Sequence, residues 1–192
     1  MKIGVLALQG DFIEHQKILA SLAIDSKQVR LSTELNGLDG LIIPGGESTT
    51  IGKLAVDFNL VGPLRTFAKD HAIWGTCAGS IFLSRDVRRD QPLLEIMDIK
   101  VERNAFGRQV DSFETDIEVS ALAKFSKENP PFHAFFIRAP LIEEVGKGVD
   151  ILAKLPNGKI VAARQGKLLA TSFHPELTSD NRFHRYFLEM IL

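Results

Sequence analysis

Three short segments constrain this chain more than anything else in it: residues 3–8 (IGVLAL), 38–43 (LDGLII) and 72–74 (AIW). Each reads as a strand apolar enough to be buried on both faces, and each runs into a glycine-bearing turn. A strand covered on both faces needs helices above and below it, which is the layout of a parallel sheet. The intervening segments supply those helices. Residues 12–23 set Ile18, Leu19 and Leu22 on one face behind Asp11 as a cap. Glu47-Ser48-Thr49-Thr50 opens a helix to about residue 58, and Pro63 opens a shorter one to residue 69. A short strand is expected at 28–31. The expected architecture is an α/β three-layer sandwich with a mostly parallel central sheet, spanning residues 1–192 as one domain.

After the third strand the pattern changes. Residues 84–91 are charged and read as a surface loop. Residues 99–102, 113–119, 133–137 and 151–155 read as shorter strands. Asn157-Gly158 between apolar runs marks a hairpin turn into 160–163. Residues 168–173 form one more apolar strand, ending at His174-Pro175-Glu176. A last helix over 181–192 groups Phe183, Tyr186, Phe187, Met190 and Ile191 on one face.

Charge narrows the class of partner. Lys and Arg number 23 against 24 Asp and Glu, and no basic run exceeds two residues. That balance argues against a nucleic-acid or membrane-surface protein. No segment has the apolar length to span a bilayer, and the N-terminus lacks a signal-peptide layout, so a cytoplasmic address is expected. One cysteine makes neither an internal disulfide nor a cysteine-rich metal site.

That cysteine carries the chemistry. Cys77 lies between Gly75 and Gly79, where an apolar strand turns into a helix-like run. G-x-C-x-G is the cysteine form of the nucleophile elbow, whose glycines permit a strained turn and close backbone approach. A lone cysteine is ordinarily a small buried hydrophobe. With glycine at about 7% of residues, both flanking glycines occur by chance at roughly one cysteine in 200. In parallel α/β sheets ligands bind at the carboxyl ends of the strands. The turns at Gln9-Gly10, Pro44-Gly45-Gly46 and Gly75–Gly79 all lie there and should converge.

A thiol nucleophile needs a base, and the base needs a group to hold it. Of five histidines, His15, His71 and His184 read as surface or half-buried, and His133 is ambiguous at a strand start. His174 ends a buried strand, and Glu176 two residues on faces the same side of an extended chain. Glu176 is thus placed to orient His174 against Cys77. Donors for an oxyanion are the Ala78 N–H, directly after the nucleophile, and the Gly46 N–H.

PGGES, GTCAG and HPE, in that order on an α/β sheet, resemble the class I glutamine amidotransferases, a family of Cys-His-Glu glutaminases with a flavodoxin-like fold. Longer matches narrow the resemblance. LALQGDFIEH at residues 6–15, PGGESTT at 44–50, VERNAFGRQVDSFE at 101–114, FIRAP at 136–140 and SFHPELT at 172–178 are similar to the glutaminase subunits of pyridoxal 5′-phosphate synthases. Ser80 departs from the apolar residue usual after the elbow in that family.

The resemblance implies catalytic Cys77, His174 and Glu176, with an oxyanion hole at Gly46 and Ala78. It implies binding of L-glutamine by Gly46, Glu47, Ser48, Arg103, Ile137 and Arg138, the arginines suiting the substrate carboxylate. No cofactor or metal is called for. The implied partner is the synthase subunit, which consumes the ammonia, and Gln9, residues 11–20 and residues 104–114 are its expected docking surface. Two other readings compete: a hydrolase of γ-glutamyl peptides, and a non-enzymatic scaffold with a redox-sensing cysteine.

Overall fold

The computed structural model describes residues 1–103 and 112–192. The first half alternates strand and helix: β1 (Lys2–Leu6), α1 (Phe12–Ser21), β2 (Asp25–Val29), β3 (Gly40–Ile43), α2 (Ser48–Asp57), α3 (Val61–Phe67), β4 (Ala72–Thr76) and α4 (Ala78–Leu83). The rest is richer in strands: β5 (Ser84–Asp86), β6 (Met97–Glu102), β7 (Ser112–Ile117), β8 (Phe132–Ile137), β9 (Leu141–Val145), β10 (Asp150–Lys154), β11 (Ile160–Gln165) and β12 (Leu168–Thr171), closed by α5 (Arg182–Glu189).

One sheet runs β2-β1-β3-β4-β12-β11-β9-β6-β5, with β10 on β11, while β7 and β8 form a separate hairpin. From β2 to β12 every pairing is parallel. β11, β9 and β6 then pair antiparallel, and β5 lies parallel to β6. Alternate residues of the central strands face opposite cores. Leu41, Ile43 and Ile73 enter one cluster with Ile51 of α2, Leu64 of α3 and Phe82 of α4. Ile42 and Trp74 enter the other with Leu19 of α1, Phe183 and Phe187 of α5, and Phe132 and Phe136 of β8. Those two clusters are the interfaces of a three-layer α/β sandwich, and the parallel half carries the expected strand–helix order.

Several boundaries differ from expectation for identifiable reasons. β2 has the polar sequence DSKQV at a sheet edge, and backbone pairing with Lys2–Leu6 rather than hydrophobicity holds it. α1 stops at Ser21 because Ala23 takes a left-handed φ of 56°. α3 begins two residues before Pro63, which tolerates a first-turn position because amides there lack intrahelical acceptors anyway. The 84–91 loop begins as β5. β9 is a strand the apolar pattern hides behind Pro140 and the Glu143-Glu144 pair. The Asn157-Gly158 turn joins antiparallel β10 and β11 as expected, with Gly158 at φ 83°.

Phe187 is fully buried, with its ring centroid 5.7 Å from that of Trp74. Phe187→Ala should cost about 3–5 kcal/mol, as aromatic truncations in packed cores do. Urea unfolding should show a lower midpoint at an unchanged slope.

Candidate active site

Cys77 follows β4 and precedes α4, with φ 47° and ψ −107°. A side chain bearing a Cβ rarely occupies that region, so the turn stores strain that its neighbours hold in place. The Cys77 N–H donates to Thr171 O on β12 at 2.8 Å. The Cys77 carbonyl accepts from Ser80 N at 3.1 Å and from the buried Ser80 hydroxyl at 2.7 Å. Ser80, the departure from the family pattern, thus pins the turn. Gly79 lies so close to the end of β3 that a Cβ on it would collide with the Ile43 carbonyl oxygen.

The three strand-end turns do converge. Asp11 N–H donates to Gly45 O at 3.1 Å, and Glu47 N–H donates to the Gln9 side-chain oxygen at 2.7 Å. His174 packs against Gly45 so tightly that a Cβ there would run into the imidazole. Cys77, Ala78, Gly46, Glu47, Ser48, Arg103, Ile137, Arg138 and His174 all line one cleft of about 430 Å³. Gln9, Asp11, Ile81 and Pro140 complete it.

His174 Nδ1 lies 2.7 Å from Glu176 Oε1, and both side chains are buried. The expected reason for this pairing is not the observed one. β12 ends at Thr171, and Glu176 sits in a single tight turn, Pro175–Leu177. That turn, not extended alternation, swings the carboxylate back to the ring. The His174 N–H donates to Phe135 O of β8 at 2.9 Å, which fixes the backbone. Burial disfavours the imidazolium, but the Cys77 sulfur and the Glu176 carboxylate outweigh it and raise the His174 pKa to about 11. Burial pushes Glu176 up, with His174 opposing. The Cys77 sulfur also lies 3.9 Å from the Ile137 carbonyl, an acceptor for its thiol form.

Asp11 is a second carboxylate, expected from the sequence as a helix cap and as part of the docking surface but not beside the imidazole. It makes no cap hydrogen bond, and its Oδ2 lies 3.5 Å from His174 Nδ1. Its signal was its place one residue past the Gln9-Gly10 turn. Asp11, His174 and Glu176 have potential ligand atoms within 4.8 Å of one another. Both carboxylates approach the same ring nitrogen, the position of its proton, so the arrangement is that of a shared imidazole N–H.

The two arginines differ. Arg103 is anchored: Nη1 donates to Thr49 Oγ1 at 3.0 Å and to Gln91 Oε1 at 2.8 Å, and Nη2 pairs with Glu47 at 2.9 Å. Glu47 also caps α2 through Thr50 N–H. Burial opposes its charge, but the donors of Thr50 and Thr49 prevail and hold its pKa at about 2. Arg138 is exposed at a strained φ of 43° and, among the described residues, pairs with no carboxylate. Of the two arginines that line the cleft, it is the one without a carboxylate partner among the described residues. Two histidines contradict the sequence reading: His15 and His184 are fully buried, not surface side chains, because α1 and α5 press them against Trp74. Of the expected docking surface, residues 104–111 lie outside the described residues.

A model of the SNO glutamine amidotransferase family matches residues 5–192. The chain belongs to that family. Its curated relatives include the pyridoxal 5′-phosphate synthase subunit PdxT of Herpetosiphon aurantiacus, 56% identical over 98% of this chain and 99% of the relative. PdxT of Thermus thermophilus is 53% identical over 98% and 96%. A crystal structure described as a glutamine amidotransferase superposes with TM-score 0.91 at 51% identity, covering 98% of each chain. A putative GMP synthase component from Thermoplasma acidophilum shares the fold at TM-score 0.70 and 19% identity, covering 100% of this chain and 94% of that one. Among the described residues of this family member, no helix is long and apolar enough to cross a membrane.

The Cys77 sulfur is a principal support of the His174 imidazolium, so removing it should release the proton. In Cys77→Ala the His174 ring should titrate at a clearly lower pH than in the parent chain, followed by NMR of labelled histidine. An unmoved titration would mean that the two groups do not share charge.

Proposed function

We propose that this chain is the glutaminase subunit of a pyridoxal 5′-phosphate synthase, hydrolysing L-glutamine and passing ammonia to a synthase partner. The observation that carries the reading is the His174–Glu176 pair, set at 2.7 Å beside a strained Cys77 elbow in one cleft. The description of the family supports glutamine as the substrate, and the names of the relatives, at 52–56% identity, support a synthase as the partner.

The Cys77 thiolate, paired with the His174 imidazolium, attacks the side-chain amide carbon of glutamine. Charge on the resulting oxyanion is met by the Ala78 N–H, a first-turn amide with no intrahelical acceptor, and by the Gly46 N–H. His174 gives its proton to the nitrogen, the C–N bond breaks, and ammonia leaves a γ-glutamyl thioester. Water deprotonated by His174 attacks the thioester, and glutamate departs as the thiolate re-forms. Glu176 keeps the ring oriented and offsets its charge. Arg138 meets the substrate α-carboxylate. Anchored Arg103 sets the wall with Glu47 and Ser48, and Ile137 offers its carbonyl.

Free ammonia is protonated in neutral water and lost as a nucleophile, so the product is useful only to a synthase docked over the cleft. Gln9, Asp11, α1 and the start of β7 (residues 112–114) form the described part of that docking surface, where Ile13 is half exposed. The residues 1–192 act as one glutaminase unit. A thiol nucleophile works in a reducing compartment, in keeping with the expected cytoplasmic address.

Ammonia release from glutamine should be weak for the chain alone and strongly stimulated by the synthase. Equal rates with and without the partner would defeat the partnership. Cys77→Ala should lose at least about a thousandfold in rate if the thiol is the nucleophile. A γ-glutamyl dipeptide hydrolysed as fast as glutamine would instead favour the peptide hydrolase. Arg138→Gln should raise KM by about ten- to a hundredfold, the value of one hydrogen bond between charged groups, with kcat nearly unchanged.

A further inference from the structure

Behind Glu176 lies a polar cluster that the proposed reaction leaves unused. His15 of α1 and Glu176 have wholly buried side chains, with His15 Nε2 3.3 Å from Glu176 Oε2. The same nitrogen lies 3.3 Å from the Thr76 hydroxyl, with which it is well aligned. Glu176 Oε2 has no well-aligned hydrogen bond among the described residues, and His15 Nε2 is the ring nitrogen that stands beside it. On the far side of the ring, His15 Nδ1 lies 3.0 Å from His184 Nε2 of α5. His184 Nδ1 is buried and, among the described residues, without a partner. Trp74 stands edge-on to both rings, at 5.6 Å and 4.9 Å, and closes the cluster from water.

Chemistry fixes the protons in this cluster. Burial is the first cause lowering both rings, His15 well below its ordinary value and His184 to about 3, so both are neutral. A neutral pair sharing one nitrogen–nitrogen contact has two arrangements. If His15 donates to His184, its Nε2 turns a lone pair on the Glu176 carboxylate, and His184 Nδ1 becomes a buried N–H without an acceptor. If His184 donates to His15, Nε2–H faces Glu176 Oε2 and the Thr76 hydroxyl, and the orphan on His184 is only a lone pair. Unpaired buried donors are the rarer and costlier defect, and a buried carboxylate needs donors on both oxygens. The second arrangement wins on both counts.

We propose that His15, its tautomer fixed by His184, is a positioning residue for the catalytic set: its Nε2–H supports the second oxygen of Glu176 while His174 holds the first. The inference rests on the proposed role of His174 and Glu176. The groups facing Glu176 are His174, Asp11 and His15, and those facing His15 are His184, His174 and Glu176. Without His15, Glu176 keeps only His174 and its own backbone N–H as donors, and its carboxylate is held less firmly against the ring. The imidazolium is then less well supported, and His174 gives up its proton at a lower pH.

The test is the pH titration of His174, followed by NMR of labelled histidine in the full chain, alongside kcat and KM for glutamine in the synthase complex. His15→Leu should lower the pH at which His174 loses its proton by about one unit and lower kcat about tenfold at unchanged KM. His15→Gln, which returns an N–H near the Nε2 position, should restore both most of the way to the parent values. His184→Phe, which keeps the ring volume, should shift the His174 titration in the same direction and decides the matter if His15→Leu does not fold. Titrations that superimpose on the parent's, with only thermal stability altered, would reduce His15 to a packing residue and overturn the proposal. If the parent complex released no ammonia from glutamine, the functional reading would fail, while the His174 titrations would still judge His15.

Discussion

Close contact between backbones at the carboxyl ends of β1, β3 and β4 is the constraint on which the rest depends. Gly79 lies against the Ile43 carbonyl, and Gly45 against the His174 ring, with no room for a methyl group at either place. Those approaches bring the elbow, the Gly45-Gly46 turn and the His174 turn to one cleft. They also leave little for side chains to do except the chemistry. A larger sheet twist, or one Cβ too many, would separate nucleophile and base while leaving the hydrophobic layers intact.

The parallel half of the fold was legible because double-sided burial leaves a signature, continuous apolar strands, that few other arrangements produce. The antiparallel half was less so. β9 carries two exposed glutamates, and β2 is a polar edge, so backbone pairing decides both where hydrophobicity is silent. His15 and His184 show the same limit inside a helix. A polar residue on a helical pattern is read as outward-facing, yet both point inward because each supplies a partner for the other. Such pairing, between residues 169 positions apart, exists only once the helices are packed.

In the cleft, residue types and motif order pointed to Cys77 and to the His174–Glu176 pair, and the family resemblance pointed to the arginines but not to what holds them. Arg103 and Arg138 look alike in sequence. In the structure one is locked to Glu47, Thr49 and Gln91, and the other pairs with no carboxylate among the described residues. Asp11 was legible as a cap and proved to face the imidazole instead, because the Gln9-Gly10 turn aims it across the cleft rather than along its own helix.

The left-handed backbone at Cys77 has a consequence for how this chain can change over time. Glycine would relax that turn, so mutational drift under selection for folding alone runs away from cysteine at position 77. A descendant freed from its chemistry would therefore be expected to gain stability as it lost the thiol. Loss of the nucleophile in such a lineage would be the downhill direction, and its persistence a record of continued use.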